Sequence, residues 1–326
     1  MNTELLEKFK STILSKKKPS KITADGKEIW CRCPYCGDST KHTNHGHFYI
    51  KADAPFKYYC QKCTEHGAFN NDVLRDLGLD TPELFIMLAE LNAEYRNSDH
   101  YVPPVEKRQL ILREYNSILS RQNLQYINDR FKLNMDENYV RETYNIILDV
   151  PQFFQDNNIV TQMNFGFAES IGILSNDKSH ISFRDTSNTN PLRYIILTLN
   201  EIGTKTCIVR APLDVMSPVI NVHLAEGMMD IIGIREFLVD KDATNHIFVA
   251  ACGKSYLRAI KTIIHRGFLN LNIHIYSDSD VPPTFFDYLK RENIEFTINP
   301  VNLYYNDVSK DFGVPKEQIK LRRGVI

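Results

Sequence analysis

The chain has 326 residues, 43% hydrophobic and 24% charged, with Lys+Arg 39 against Asp+Glu 40. That length suits about two domains, and that mix excludes both a largely disordered chain and a polycation. Any nucleic-acid surface must come from local segregation of charge. Residues 1–66 carry twelve Lys/Arg against seven Asp/Glu, a local charge of +5, which leaves −6 on the rest. No run of eighteen apolar residues occurs, so no membrane span is expected. The basic start MNTELLEKFKSTILSKKKPSK lacks the apolar core of a signal peptide, and a cytosolic protein is expected.

Five of the seven cysteines fall within residues 31–63, while Cys207 and Cys252 stand alone far downstream. In a reducing compartment a dense cluster points to metal rather than disulfides. Cys33-Pro34-Tyr35-Cys36 and Cys60-Gln61-Lys62-Cys63 are two CxxC knuckles with 23 residues between them. Two such knuckles place four thiolates around one structural zinc. Cys31 is an alternative to Cys33, and His42, His45, His47 and His66 are alternative ligands. Strand-like runs flank Asp53-Ala54-Pro55, so the metal would clamp a small ribbon. Arg32, Lys41, Lys51, Lys57 and Lys62 alternate there with Phe48, Tyr49, Phe56, Tyr58 and Tyr59. Cations that follow phosphates and rings that stack on bases suit single-stranded nucleic acid. Lys57 and Tyr58 are the contacts singled out, with the Lys16–Lys21 run as a weaker candidate.

FNNDVLRDLGL follows as a short helix, capped by Asn70 or Asn71 and ended by Gly78. TPELFIMLAELNAEYRNS is a helix with Thr81 as N-cap and Pro82 in its first turn. Residues 98–107 read as a stiff linker around Pro103-Pro104, and residues 108–148 as amphipathic helix. From about residue 160 short β-rich runs appear. After residue 219, VINVHLAEG, HIFVAACG, NIHIYSDSD and EFTINPV read as strands between amphipathic helices, which predicts a mainly parallel sheet covered by helices.

Two of those strands end in acids: Glu226-Gly227, with Asp230 four residues beyond Glu226, and Asp278-Ser279-Asp280. Ligands bind beyond the carboxyl ends of parallel strands. Alternate residues of an extended chain point the same way, so Asp278 and Asp280 can face one ion. Hard oxygen ligands suit Mg²⁺ or Mn²⁺ and phosphoryl transfer. Glu226 is a metal ligand or a general base. Asp230 is a ligand or a group supporting one.

Ala225-Glu226-Gly227-Met228-Met229-Asp230 and Asp278-Ser279-Asp280 resemble the two signatures of the Toprim fold, shared by primases, topoisomerases and some nucleases. Arg32-Cys33-Pro34-Tyr35-Cys36-Gly37-Asp38-Ser39 resembles the opening of bacteriophage DNA primases, the T-even type especially. The resemblance covers about residues 31–69 and 160–312, whereas 80–150 carry no family signature. It implies an α+β/α/β multidomain chain: a zinc-ribbon template-binding domain at 1–79, a helical linker region at 80–159, and a primase-type RNA polymerase domain with a Toprim parallel sheet at 160–326. It also implies short RNA primers made from ribonucleoside triphosphates on a single-stranded DNA template, in the host cytoplasm if phage-encoded.

Glu226, Asp278 and Asp280 match the family's acidic Mg²⁺ centre, and Asp230 its EGxxD aspartate. Phe248–Ser255 sits where family members have a small-residue strand and a Gly-Thr turn, from which Cys252 and Lys254 depart. The tail Asn306–Asp311 resembles the family's closing Lys-Asp-Xaa-Asn-Asp in altered order, so Asp307 or Asp311 supports the metal. Bacterial-type primases place basic residues upstream of the Toprim unit, which makes Arg184, Arg193 and Arg210 the cationic candidates, with Lys254 beside them. No GxxxxGK[ST] pattern occurs, so a separate replicative helicase is the expected partner. A recombination-mediator-like DNA clamp and a Toprim nuclease are the alternatives. A type IA topoisomerase would need a catalytic tyrosine in additional large domains.

Overall fold

The computed structural model describes the chain apart from residues 1, 37, 39–43, 64, 100, 102–108, 164, 188–192, 201–202, 212–218, 241–242, 269, 288, 290–300 and 325–326. It divides into two units, Met1–Glu106 and Lys107–Ile326. Both mix helices with antiparallel or parallel sheet, a mixed α/β chain. No helix among the described residues is long and apolar enough to cross a membrane.

In the first unit α1 (Thr3–Lys16) starts at Asn2, whose side chain accepts from the Leu5 amide. Its buried residues, Leu6, Phe9 and Ile13, recur at helical spacing and form one stripe. Five short strands follow: β1 (Ser20–Ile22), β2 (Glu28–Cys31), β3 (Phe48–Lys51), β4 (Lys57–Cys60) and β5 (His66–Ala68). They form one antiparallel sheet in chain order. α2 (Asn71–Asp76) is capped by Asn70, which accepts from the Asp72 and Val73 amides, and Gly78 at φ +72° ends the segment. α3 (Pro82–Arg96) packs on α1, and Leu84, Met87, Leu88 and Leu91 close the core over Phe48, Tyr58 and Phe69.

The second unit opens with α4 (Ile118–Phe131), α5 (Glu137–Tyr144), β6 (Ile146–Ile147) and α6 (Val150–Asp156). β7 (Ser170–Leu174), β8 (His180–Asp185) and β9 (Tyr194–Thr198) complete a four-stranded antiparallel sheet, ordered β6-β7-β8-β9. Residues 80–159 are therefore divided between the two units: α3 belongs to the first core, and α4 to α6 belong to the second. The helix expected from residue 108 begins only at Ile118, where Ser117 caps it. Before it the chain runs irregularly, with Ile111 hydrogen-bonded through both backbone groups to the Asn157 side chain. The proposed Pro103-Pro104 linker lies outside the described residues.

β10 (Cys207–Arg210) and β11 (Ile220–Ala225) lead into α7 (Met228–Phe237), β12 (His246–Ala250), α8 (Tyr256–His265), β13 (Leu271–Ser277), β14 (Asn302–Asn306) and β15 (Leu321–Gly324). The six strands form one sheet ordered β10-β12-β11-β13-β14-β15. β12, β11, β13 and β14 run parallel, and the edges β10 and β15 run antiparallel to their neighbours. Alternation sorts the faces. Val222, Leu224, Ile247, Val249, Ile273 and Ile275 pack against α8, while Ala225, Phe248, Ala250 and Tyr276 pack against α7, α4 and α5. Each fully buried aliphatic side chain contributes about 1.5–3 kcal/mol. Gly233 lets α7 lie against the 312 segment: a Cβ there would stand 2.0 Å from the Phe312 carbonyl oxygen. The expected strand at 295–301 falls almost wholly outside the described residues, and the strand pairing with β13 is β14, one step further on.

Candidate metal centre and candidate catalytic site

In the first unit Cys33 and Cys36 lie on the turn after β2, Cys60 ends β4, and Cys63 lies on the turn beyond it. All four are buried, and their sulfurs lie within 4.8 Å of one another. The Cys33–Cys63 and Cys36–Cys60 Sγ distances are 3.8 and 3.9 Å. Zinc–sulfur bonds of about 2.3 Å in a tetrahedron require sulfurs about 3.8 Å apart. The four thiols can therefore hold one structural metal ion such as zinc. Burial raises the Cys33 thiol far above its usual range, and the other three thiols together hold Cys63 well below it.

Cys31 is not part of this set. It lies in β2 opposite Phe48, wholly buried, and burial pushes its thiol up to about 12. Nor do His45, His47 or His66 join it; His42 and Lys41 lie outside the described residues. His47 instead supports the turns: its Nδ1 lies 2.7 Å from Asp38 Oδ1, while Asp38 Oδ2 accepts from the Cys33 amide and its carbonyl accepts from Lys62 Nζ. Asp38, 3% exposed, thus braces both knuckles.

Tyr58, expected to contact nucleic acid, is core. It is 3% exposed and stacks on Phe48 at 5.0 Å. Cys60 must face the metal, and a strand residue two positions away shares its side. The residues opposite form a row across the sheet: Lys21, Trp30, Tyr49, Tyr59 and His66 are consecutive register partners. Tyr49 and Tyr59 stack at 5.0 Å with an 11° tilt, and Tyr59 is exposed. Lys57 is exposed beside them on β4.

In the second unit the acids collect at one end of the parallel sheet. Register places Ala225 beside Tyr276, so Glu226 leaves β11 next to the start of the Asp278-Ser279-Asp280 run, one strand spacing of about 4.8 Å away. Burial pushes Glu226 above its ordinary range, Asp280 adds to this, and Lys254, Lys310 and Lys205 offset it. Asp278 is pushed up to about 6 by burial, Glu226 and Asp311. Asp280 is exposed and held below its ordinary value by Lys310. The Lys310 ammonium stands 2.9 Å from Asp280 Oδ2 and 3.7 Å from Asp278 Oδ2. A lysine therefore bridges the two aspartates. Among the described residues only the four cysteines form a set whose ligand atoms lie close enough to share an ion; the acids are electrostatic neighbours without that convergence.

Asp230, in the first turn of α7, spends both oxygens on backbone: Oδ2 accepts from the Gly227 amide at 3.2 Å and Oδ1 from the Phe312 amide at 3.1 Å. It ties the helix start to the segment carrying Lys310 and Asp311, and so positions them. Burial and the charges of Asp311 and Asp278 push it up to about 7. Asp311 belongs to this group, 4.0 Å from the Arg130 guanidinium. Asp307 does not, because it pairs with Arg322 at 2.6 Å on an exposed edge.

The basic candidates separate in the same way. Arg184, 8% exposed, lies over the Tyr194 ring at 4.8 Å and donates to the Tyr126 and Tyr194 hydroxyls. Tyr194 Oη in turn lies 3.9 Å from where a Cβ on Gly227 would sit, which brings Arg184 to the acidic turn. Lys254 neighbours Glu226 and Asp280. Arg193 is exposed, and its carbonyl closes the β8–β9 turn by accepting from the Asp185 amide. Arg210 lies at the wrong end: β10 runs antiparallel, pairs Arg210 with Ile247, and leaves its guanidinium over Phe268. Sequence reasoning missed Arg130, Lys205 and Lys310. Only Lys310, adjacent to Asp311, carried a local signal.

No protein-family model matches this chain, and no curated protein matches it.

Proposed function

We propose that the chain is a DNA primase, a DNA-dependent RNA polymerase that makes short RNA primers on single-stranded DNA, with a zinc ribbon ahead of a Toprim-type catalytic unit. One observation carries the reading: Glu226 and the Asp278/Asp280 pair emerge from adjacent parallel strands at one sheet end, with Lys205, Lys254, Lys310, Arg130 and Arg184 around the acidic group. Acids alone would repel a nucleotide and cations alone would only bind one; the mixture suits a metal-bridged triphosphate.

Asp278 and Asp280 would hold a Mg²⁺ or Mn²⁺ ion once Lys310 gave up its bridge to them, and the ion would supply charge neutralisation of the triphosphate and polarisation of the primer hydroxyl. Glu226, whose carboxyl burial pushes above its ordinary range, would hold the ion or take the hydroxyl proton. Lys254 and Arg184 contact phosphates, and Asp230 keeps the 310–312 segment in place. In the first unit Trp30, Tyr49 and Tyr59 stack template bases while Lys21, Lys57 and other exposed lysines follow the backbone. A separate replicative helicase completes the reading as partner.

Incubation of the full chain with Mg²⁺, ribonucleoside triphosphates and random single-stranded DNA tests this directly. Short RNA oligomers are expected. Shortened DNA would instead make the chain a Toprim nuclease, and neither product would leave a recombination-mediator-like clamp.

A further inference from the structure

Cys207 and Cys252 lie 45 residues apart, yet their sulfurs stand 3.9 Å from each other in the second unit. The sheet makes the pair. β10 runs antiparallel to β12 with Cys207 opposite Ala250, and Cys252, two residues on, returns to the same side. There the chain leaves the strand sharply, with Cys252 at φ +51° and Gly253 at φ +130°. This turn backs directly onto the acidic strand end: the Ala251 amide donates to the Ala225 carbonyl at 3.0 Å and the Gly253 amide to the Glu226 carbonyl at 3.2 Å. Lys254 follows on the same turn. Lys205 Nζ would lie 3.4 Å from a Cβ on Gly253. Cys252 is partly exposed and Cys207 wholly buried, the arrangement of an attacking thiol with a resolving partner behind it.

We propose that Cys207 and Cys252 are an oxidisable thiol pair whose disulfide draws the 252–254 turn away from Glu226. The oxidant is hydrogen peroxide. The Cys252 thiolate attacks one peroxide oxygen; an S–O bond forms, the O–O bond breaks, and the departing hydroxide takes up a proton as water. Cys207 then loses its proton and attacks the sulfenyl sulfur; the S–S bond forms, the S–O bond breaks, and hydroxide leaves as a second water. Two thiols and one peroxide give one disulfide and two waters, with two electrons passing from sulfur to oxygen. The hydrogen bond with Cys207 holds the Cys252 thiol below its usual range, with Ser182 and Lys205 adding to this, which favours the thiolate that begins the sequence. A disulfide needs its sulfurs about 2.05 Å apart, and the order β10-β12-β11 puts Cys207 on the far side of Cys252 from Glu226, so a turn that follows Cys252 toward its partner moves away from the acid.

The effect on nucleotide chemistry rests on the primase reading; the disulfide and the displacement do not. Zinc-loaded full chain is treated with hydrogen peroxide, its free thiols are blocked with iodoacetamide, and it is digested without reductant, while a chelating dye follows zinc release. A cross-linked peptide joining Cys207 to Cys252 is expected before zinc is lost. Tryptic cleavage after Lys254 in the native oxidised protein should change at least about threefold and return with dithiothreitol. Neither effect should occur in Cys252→Ser, or in Cys207→Ala as a second variant. Absence of that cross-link while other cysteines oxidise overturns the pair. A cross-link with unchanged cleavage after Lys254 overturns the displacement. If the reduced chain makes no RNA but both readouts behave as expected, the primase reading fails and the thiol pair stands.

Discussion

The two polar clusters of this chain gather ligand atoms in opposite ways. In the first unit four soft sulfurs are packed within 4.8 Å of one another, and Asp38 and His47 brace the turns that carry them. In the second unit hard carboxylates share a sheet end but stand apart, with Lys310 between two of them and further cations around. The first set closes on itself and would be completed by one metal ion; the second balances acids against cations whose contacts a ligand can replace. A closed set of ligands holds a fold together, and an open, charge-balanced one is built for exchange.

The largest effect should come from breaking the closed cluster. Structural zinc contributes about 10–16 kcal/mol to small domains, against a total stability of about 5–15 kcal/mol. Cys60→Ser should therefore lose its zinc and the fold of the first unit, so that proteolysis degrades the N-terminal third while the second unit keeps its own melting transition. A first unit that melts normally without metal would reduce the thiols to packing.

Breaking the open cluster should leave the fold and remove the chemistry. Asp278→Ala should cut Mg²⁺-dependent ribonucleotide incorporation at least about a hundredfold, the scale of losing one preorganised electrostatic group. Single-stranded DNA affinity should stay within about twofold, because phosphate binding comes from Lys and Arg. Equal loss of both would make the acid structural.

The contrast also explains what the sequence disclosed. Cysteine spacing is local, so Cys33, Cys36, Cys60 and Cys63 were legible directly, and β/α alternation announced the sheet that carries Glu226 and Asp278. The burial of Tyr58 was legible too, since Cys60 fixes the inward side of β4, but the aromatic run concealed it. Strand direction has no local signature, so nothing in CIVR showed that Arg210 would finish at the far end. Arg130 could not be found either: α4 carries several polar positions, and only packing selects the one that meets Asp311. Asp311 rather than Asp307 joins the acids because the Phe312 amide is tied to Asp230.

The two faces of the ribbon can be told apart next. Tyr58→Ala should destabilise the first unit by about 3–5 kcal/mol, as other buried aromatics do, with urea unfolding as the readout. Tyr59→Ala should unfold normally yet weaken single-stranded DNA binding by about 1–3 kcal/mol per stacked base, measured by fluorescence anisotropy. Reversed results would exchange core and binding face.

The smallest effect is one of pH. Asp230 is pushed up to about 7 and Asp278 to about 6 in the folded chain, from an ordinary 3.8. Between these values the folded state holds more protons than the unfolded, so stability falls as pH rises through the window from about 4 to 7. For Asp230 the slope is at most about 1.4 kcal/mol per pH unit. In chelator, the melting temperature of the second unit should drop from pH 6 to pH 7, and Asp230→Asn should flatten that drop. An unchanged slope in the variant would assign the protons elsewhere.

At the proposed catalytic site Glu226, Asp278 and Asp280 should take up a divalent ion once Lys310 yields. Titration of zinc-loaded protein with Mn²⁺, followed by the electron paramagnetic resonance of the free ion, reads this without assuming any activity. Wild-type chain should remove Mn²⁺ from solution, and Glu226→Gln combined with Asp278→Ala should not. Equal uptake by both proteins, or none by either, would mean that these acids are not an ion site.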